Sequence, residues 1–212
     1  DYTGQVYFTS NDSQAVLRYT SITKYTFTGY GYGKDNGTHT FAGTDFILKT
    51  AGSRNITVTD GTKSATSSSI TVNVGAHAAF RFNTISNQVS DIGFSITITA
   101  TDSCGNTITT YSSSVPLSVS GGLTINRTDT GISGWSSGVW TGGVTLTGRG
   151  SGITITANDG SGHTGTSNGF IVYKVTFVSA GTGSAGSGGS FNPTPAYPTG
   201  LQANDLILLQ VT

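Results

Sequence analysis

The sequence predicts an all-β protein of two tandem sandwich domains, and three observations carry this prediction. Short runs of β-branched residues alternate with polar ones, most clearly at 55–59 and 70–74, and a period of two gives a strand one buried and one wet face. Glycine is abundant, with 31 residues in a chain of 212, as tight turns between strands require. Similar segments recur about 100 residues apart, which indicates tandem domains.

The first copy contains five predicted strands. Turn signals separate the runs, for example Asp60-Gly61 after the most regular alternation. The predicted strands are 6–10, 25–28, 39–46, 54–60 and 69–74.

The second copy ends as the first one does. Residues 153–160 match 56–61 with a small insertion, and 168–172 match 69–72. The predicted strands of this copy are 79–83, 94–101, 115–119, 138–147, 153–158 and 170–172.

The opening of the chain corresponds to the middle of the second copy. Residues 2–10 are similar to 111–119, an offset of 109 residues. A strand-rich run, 77–110, precedes this stretch in the second copy and has no counterpart in the first. The first domain is therefore predicted to lack its opening strands, which something else must supply.

Two motifs of the second copy resemble the bacterial immunoglobulin-like repeats of large surface and secreted proteins. One is the A-x-D-x-x-G-N pattern at 100–106, followed by Tyr111, and the other is the closing run 152–160. The resemblance covers residues 2–173 and implies tandem immunoglobulin-like β-sandwiches that serve as stalks, adhesins or spacers. The first copy departs from the family because it lacks the A-x-D-x-x-G-N strand.

The predicted organisation is a strand-deficient domain at 1–75, a complete domain at 76–173 and a Gly/Pro-rich tail at 174–212. A sandwich short of strands exposes unpaired edges and a hydrophobic groove unless they are filled. The residues predicted to line this acceptor groove are Val6, Phe8, Ile56 and Val58.

The tail offers a candidate donor strand. It holds a short strand-like run at 174–178, a Gly/Ser/Ala-rich linker, a proline-rich stretch at 192–198 and an apolar run at 206–211. The tail also weakly resembles the start of a domain found in phage tail and surface proteins, which would make it the beginning of a third domain. The predicted donor residues are Leu206, Ile207, Leu208, Leu209 and Val211.

The composition excludes several function classes. With 10 basic and 10 acidic residues and no net charge, the chain has no electrostatic footprint for nucleic acid or an anionic membrane. No run approaches the ~18–20 apolar residues that span a bilayer, so direct membrane insertion is not expected. The Ser/Thr/Gly-rich, lysine-poor composition favours an extracellular or cell-surface location, and a first residue other than Met predicts a processed or excised segment.

Residues for chemistry are sparse, and we predict no enzymatic activity, no catalytic residues and no cofactor. The G-x-S-x-G match at 134–138 is followed by a predicted strand rather than by the helix that a nucleophile elbow needs. The histidines, at 39, 77 and 163, lack ligand spacing, so no metal site is predicted. Asp102 with Asn106 could offer oxygens to calcium, but turn chemistry is the favoured interpretation. The single cysteine, Cys104, excludes an intrachain disulfide.

Two further patterns concern the surface. Five aromatic residues crowd one stretch and predict either core packing or a sugar-stacking face: Tyr25, Phe27, Tyr30, Tyr32 and Phe41. Four Asn-x-Ser/Thr triplets are candidate glycosylation sites, at Asn11, Asn36, Asn55 and Asn126.

The function predicted from these patterns is that of a structural subunit of an extracellular filament or surface stalk. Its main partner would be a copy of itself, because the tail of one copy would complete the first domain of the next by strand donation, head to tail. A cell-surface or glycan ligand is a further candidate partner. Two alternatives remain: a fragment of a giant adhesin or phage tail repeat protein, and a carbohydrate-binding module of a secreted enzyme.

Overall fold

A computed structural model of the protein describes residues 2–175. This part of the chain is all-β, which confirms the predicted fold class, and it consists of short strands joined by turns. Nowhere in it is there a helix with the length and apolar character needed to cross a membrane. The strand predictions for the tail beyond Val175 lie outside the described residues.

The described residues form two compact units. Residues 2–79 and 100–110 make up the first unit, and residues 80–99 and 111–175 make up the second. The A-x-D-x-x-G-N segment at 100–106 thus belongs by its contacts to the first unit.

The first unit has one larger sheet and two small ones. The larger sheet has the strand order β3-β1-β6-β7, and the small sheets pair β2 with β4 and β5 with β8, all antiparallel. The strands are β1 Gln5–Ser10, β2 Val16–Leu17, β3 Tyr25–Thr26, β4 Phe46–Ile47, β5 Gly52–Arg54, β6 Ile56–Thr59, β7 Ser64–Thr66 and β8 Ile70–Val72.

The remaining strands form a large sheet and a three-stranded one. The large sheet has the order β12-β17-β18-β9-β11-β15-β13, with β14 also paired to β15, and the smaller has the order β10-β19-β16. The strands are β9 His77–Phe82, β10 Gln88–Val89, β11 Gly93–Asp102, β12 Leu117–Val119, β13 Thr124–Ile125, β14 Trp135–Ser136, β15 Val139–Thr147, β16 Gly150–Ile153, β17 Ile155–Asn158, β18 Thr164–Thr166 and β19 Phe170–Tyr173.

The sequence repeat is also a repeat of strand register. In each unit one strand, β6 or β17, is paired on both sides at equivalent residues. The side-chain bonds repeat as well, because a serine hydroxyl accepts from the first amide of that strand in both units. The opposed residues are Phe8–Val58–Ala65 in the first unit and Leu117–Ala157–Gly165 in the second.

The two units have different cores. In the second unit the alternating residues Ile96 and Ile98 of β11 are fully buried, as are Leu146 of β15 and Ile155 of β17. In the first unit an aromatic cluster covers one face of the larger sheet. Phe41 lies at its centre, with ring centroids 5.1 Å from both Phe8 and Tyr25 and 5.3 Å from Phe46.

The predicted strand at 39–46 is wrong, because only Phe46–Ile47 pairs there, as β4. Side-chain contacts rather than a backbone ladder hold the segment in place. His39 Nδ1 lies 2.7 Å from Asp35 Oδ1, and the ring of Phe41 packs edge-on against that of Tyr25. Phe41 is therefore packed in an aromatic loop and not in a strand.

The G-x-S-x-G segment at 134–138 forms a hairpin turn between β14 and β15. Ser137 and Gly138 both have positive φ, 48° and 77°, as a two-residue hairpin connection requires. Ser136 is paired with Val139 in this hairpin, so the serine lies on a strand and not at a strand-to-helix elbow.

Candidate functional site

Two strand edges that are paired in the second unit are open in the first. In the second unit β9 lies beside β18, and β10 lies beside β19. Among the described residues of the first unit, the counterpart of β18, which is β7, ends its sheet, and the counterpart of β19, which is β8, pairs with β5 alone. The described part of the first unit thus lacks the strands that complete the second.

The missing strands leave apolar side chains in contact with solvent. Ile70 of β8 is 37% exposed, whereas the equivalent Phe170 of β19 is 3% exposed. Val72 is half-buried, but its counterpart Val172 is buried. Exposed apolar surface of this kind, beside an unpaired strand edge, is typical of a site that binds another strand.

A cavity of about 230 Å³ lies at the open end of the larger sheet of the first unit. Tyr2, Val6, Val58 and Ala65 form its apolar part. The polar side chains at its rim come from the turn between β6 and β7 and include Asp60 and Lys63. The cavity is therefore an apolar recess that opens beside the edge strand β7.

The structure brings the four predicted acceptor residues together on two neighbouring strands. Val6 and Val58 line the cavity, and Val6 is buried. Phe8 lies opposite Val58 but is covered by the aromatic cluster of its own unit, and Ile56, opposite Ser10, is half-buried. The predicted donor residues 206–211 lie outside the described part of the chain.

In the second unit an aromatic ring occupies the place that corresponds to the cavity. Phe80 of β9 is buried, and its ring centroid lies 5.4 Å from that of Tyr111, the counterpart of Tyr2. A Cβ added at Gly165, the counterpart of Ala65, would lie 2.8 Å from the Cβ of Phe80. The cavity lined by Tyr2 and Ala65 in the first unit thus corresponds to the space that the Phe80 ring fills in the second unit.

The rim of the cavity carries a stable negative charge. Backbone N–H groups of Lys63 and Thr62 and the Thr62 hydroxyl donate to Asp60, and these bonds lower the pKa of Asp60 to about 2. Burial and the charge of Asp60 raise the pKa of Tyr2, whose hydroxyl lies 3.5 Å from Asp60 Oδ2. Both groups keep their ordinary charge states at neutral pH.

Asp102 organises a turn and not an open cation site. Its Oδ1 accepts from the N–H groups of Cys104 and Asn106, and its Oδ2 accepts from Gly75 N–H and Asn106 Nδ2, all at 2.8–2.9 Å. Asn106 in turn bonds the backbone of Lys49 and Ala51. The carboxylate is thus fully engaged within the first unit, and Cys104 lies in the same turn.

These bonds predict acid sensitivity in the first unit. Burial by itself raises the pKa of Asp102, but the bonds from Asn106, Gly75 and Cys104 outweigh it and hold the pKa at about 2. A lowered folded-state pKa adds stability that is present above the unfolded-state pKa of about 4 and lost as the pH falls towards 2.

The Asp102→Asn variant should therefore be less stable than the parent at neutral pH, and the difference should shrink between about pH 4 and pH 2. Urea unfolding at a series of pH values, followed by far-ultraviolet circular dichroism, measures this. A difference that stays constant with pH would contradict the role given to the carboxylate.

Each of the three histidines has a ring nitrogen within 3.2 Å of an oxygen atom. His39 lies in the first unit with Tyr25, whose hydroxyl oxygen is 2.6 Å from the ring Nδ1; burial and Asp35 raise the pKa of Tyr25 to about 12. His163 Nδ1 lies 2.6 Å from Asp159 Oδ2 in the second unit. His77 Nε2 lies 3.2 Å from the carbonyl oxygen of Ala79.

The aromatic stretch divides into packed and exposed members. Tyr25, Phe27 and Phe41 belong to the packed cluster, whereas Tyr30 and Tyr32 are exposed. Of the candidate glycosylation sites, the ones with exposed side chains are Asn11, Asn36 and Asn126, and Asn55 is half-buried.

Sequence reasoning missed Tyr2, Ala65 and the edge strand β7. Ser64–Thr66 has only one apolar residue and no alternation, so nothing marks it as a strand. The signal that could have found it is the repeat itself, because the hydroxyl pair Thr57–Thr66 recurs as Thr156–Thr166.

No family model and no curated protein matches the chain, so its resemblance to bacterial immunoglobulin-like repeats stays a prediction. Solved structures similar to it include domains 4–9 of the surface layer protein SbsC, with 14% identity and a TM-score of 0.34 over 86% of this chain and 24% of that one. A β-glucuronidase of glycoside hydrolase family 2 is similar with 13% identity and a TM-score of 0.38 over 84% of this chain and 19% of that one. A β-glucuronidase from Parabacteroides merdae has 10% identity and a TM-score of 0.33 over 77% and 21%.

The chain thus spans about a quarter or less of each of these solved proteins. At TM-scores below 0.5 the likenesses do not bear on what this chain does.

Proposed function

We propose that the protein is a structural module of an extracellular filament or surface stalk, whose first unit is completed by strands from a second copy. The observation that carries the proposal is the difference between the two repeats. The strand registers and side-chain bonds of the first unit recur in the second. In the second unit β9 pairs with β18 and β10 pairs with β19, whereas the corresponding edges of β7 and β8 are open in the described part of the first unit.

The donor would be the tail of a neighbouring copy, and above all its apolar run 206–211. This run is almost continuously apolar, as is typical of a strand that is buried on both faces. Main-chain hydrogen bonds along the open edges would supply affinity, and apolar side chains in the exposed face would set the register. Donor and acceptor surfaces differ, so the contact runs head to tail and propagates into a filament.

The proposed location and chemistry follow from composition and site. The chain has few charged residues. The buried carboxylates of Asp12 and Asp102 accept hydrogen bonds that hold turns together, so they support the fold rather than proton transfer. A surface module that holds its neighbours by strand addition needs no cofactor and no reactive group.

Deleting residues 200–212 should abolish polymerisation while the second unit stays folded. Size-exclusion chromatography with light scattering gives the mass distribution, and electron microscopy of the void fraction shows whether the polymers are ordered. The matched point variants are Ile207→Asp with Leu209→Asp, which should act like the deletion, and Asn204→Ser, which should polymerise like the parent.

Ordered polymers from the deletion variant would overturn donation by residues 206–211. A full-length chain that stays monomeric at the highest attainable concentration would overturn donation between copies. In that case strands from elsewhere in a longer polypeptide, as in an adhesin repeat, become the alternative for the open edges.

A further inference from the structure

We infer that the cavity between Tyr2, Val6, Val58 and Ala65 receives the phenyl ring of Phe177 from a second copy, on a strand that runs along β7. The inference rests on the proposed function and names the residue that would anchor the donated tail. It is carried by the second unit, where the counterpart of this cavity is filled by a phenylalanine on the strand beside β18.

The two sites have similar aromatic surroundings. Tyr111 and Trp135 stack edge to face with centroids 4.8 Å apart, and Phe80 completes this aromatic group at 5.4 Å from Tyr111. In the first unit Tyr2 and Phe27 form a similar edge-to-face pair at 5.4 Å. The first unit has no described ring at the place that Phe80 takes in the second unit, and the cavity lies there.

The cavity suits an apolar side chain better than water. It is lined at its base by aliphatic and aromatic carbon, and its polar rim groups already bond one another through the turn at Asp60. Its volume of about 230 Å³ would hold several waters at about 30 Å³ each, but waters need two to four polar partners apiece. An aromatic ring would gain edge-to-face contacts with Tyr2 instead.

Phe177 is the candidate because of its place in the chain. Strand β8 is followed within five residues by β9, which carries Phe80 into the next repeat. Strand β19 ends at Tyr173, and Phe177, the first phenylalanine of the tail, comes four residues later, whereas Phe80 comes eight residues after the end of β8. Val175, two residues before Phe177, is exposed, and in a strand it would share a face with Phe177.

One difference between the two sites affects the fit. Ala65 stands where the second unit has Gly165, and a Cβ at Gly165 would meet the carbonyl oxygen of Phe80. A strand beside β7 must therefore lie farther out than β9 does. The ring at position 177 would then reach the cavity over the methyl group of Ala65.

The test is a cysteine pair in a Cys104→Ser background, which removes the native thiol. The chain carrying Ala65→Cys and Phe177→Cys should form a ladder of disulfide-linked oligomers under mild oxidation, because facing Cβ atoms in this arrangement come within bonding range. The matched control, Ala65→Cys with Thr176→Cys, should form far less, since residue 176 points to the opposite face of the strand.

A second measurement reports affinity without a crosslink. Phe177→Ala should raise the concentration needed for polymerisation roughly 30-fold, as for loss of an interface anchor, whereas Thr176→Ala should leave it unchanged. Tryptophan fluorescence checks that the second unit is folded in each variant, because Trp135 and Trp140 both lie there.

The outcomes separate this inference from the function on which it rests. Polymers that form without a link between positions 65 and 177 overturn the assignment of Phe177 and leave strand donation standing. A disulfide closed within one chain, seen as a faster-migrating monomer, overturns a second copy as the occupant. A chain that forms no polymers overturns strand donation itself.

Discussion

Replacing Trp140 by alanine should lower the free energy of unfolding of the second unit by about 4 kcal/mol, the usual cost of emptying a large aromatic site in a core. Trp140 is 2% exposed and lies opposite Ile98, which is fully buried. Its ring covers Gly142 so closely that a Cβ added there would lie 2.2 Å from it. The backbone at Gly142 already lies against the Trp140 ring. The strands therefore have little room to move closer and fill the space that the alanine variant would leave.

Urea unfolding followed by the fluorescence of the remaining Trp135 measures this loss. Trp140→Phe should fall between the parent and the alanine variant, since it keeps much of the apolar surface. Thr141→Ala, at the exposed neighbouring position, should stay within about 0.5 kcal/mol of the parent. A loss below about 1 kcal/mol for the alanine variant would mean that the ring is not part of the core.

Asp12→Ala should destabilise the first unit by about 3 kcal/mol, because it leaves several buried donors without an acceptor. Asp12 is 3% exposed. Its Oδ2 accepts from the N–H groups of Lys49 and Thr50 at 2.6 and 2.9 Å, and its Oδ1 accepts from Gln14 N–H and the Thr50 hydroxyl. Burial by itself raises the pKa of Asp12, but the bonds from Thr50, Gln14 and Lys49 outweigh it and hold this pKa well below its usual range.

Both tryptophans lie in the second unit, so the loss in the first unit is best measured by hydrogen exchange of the Lys49 and Thr50 amides. Protection at these amides should drop in Asp12→Ala. Ser13→Ala, at the exposed neighbouring position, should leave it unchanged. Unchanged protection in Asp12→Ala would show that these amides find other partners.

Period-two alternation predicted the long buried strands well. Residues such as Ile96 and Ile98 alternate because every second side chain of β11 enters the core. The predicted strand at 39–46 is wrong, because Phe41 contacts Phe8 from a segment without a backbone ladder. Alternation reports which side chains are buried, and an aromatic loop can bury them without forming a ladder.

The open edges could be inferred from the repeat, but the site could not. The 109-residue offset predicted open edges in the first unit, and the shared registers of β1–β6 and β12–β17 agree with this offset. The cavity depends on the ring of Tyr2 and the edge strand at Ala65, which meet only through pairing of distant segments. Likewise, the bonds from Asn106 to Lys49 and Ala51 join residues more than 50 positions apart.

The hydroxyl pairs that tie the hairpins of both units have a consequence for the medium in which the protein can work. Thr57–Thr66 and Thr156–Thr166 bond through uncharged oxygens at 2.8 and 3.2 Å. Dissolved ions screen charges over about 10 Å at 0.1 M but leave a bond between neutral hydroxyls almost untouched. The hairpins should therefore hold equally well in dilute water and in brine, so salinity would set little limit on where the fold can be used.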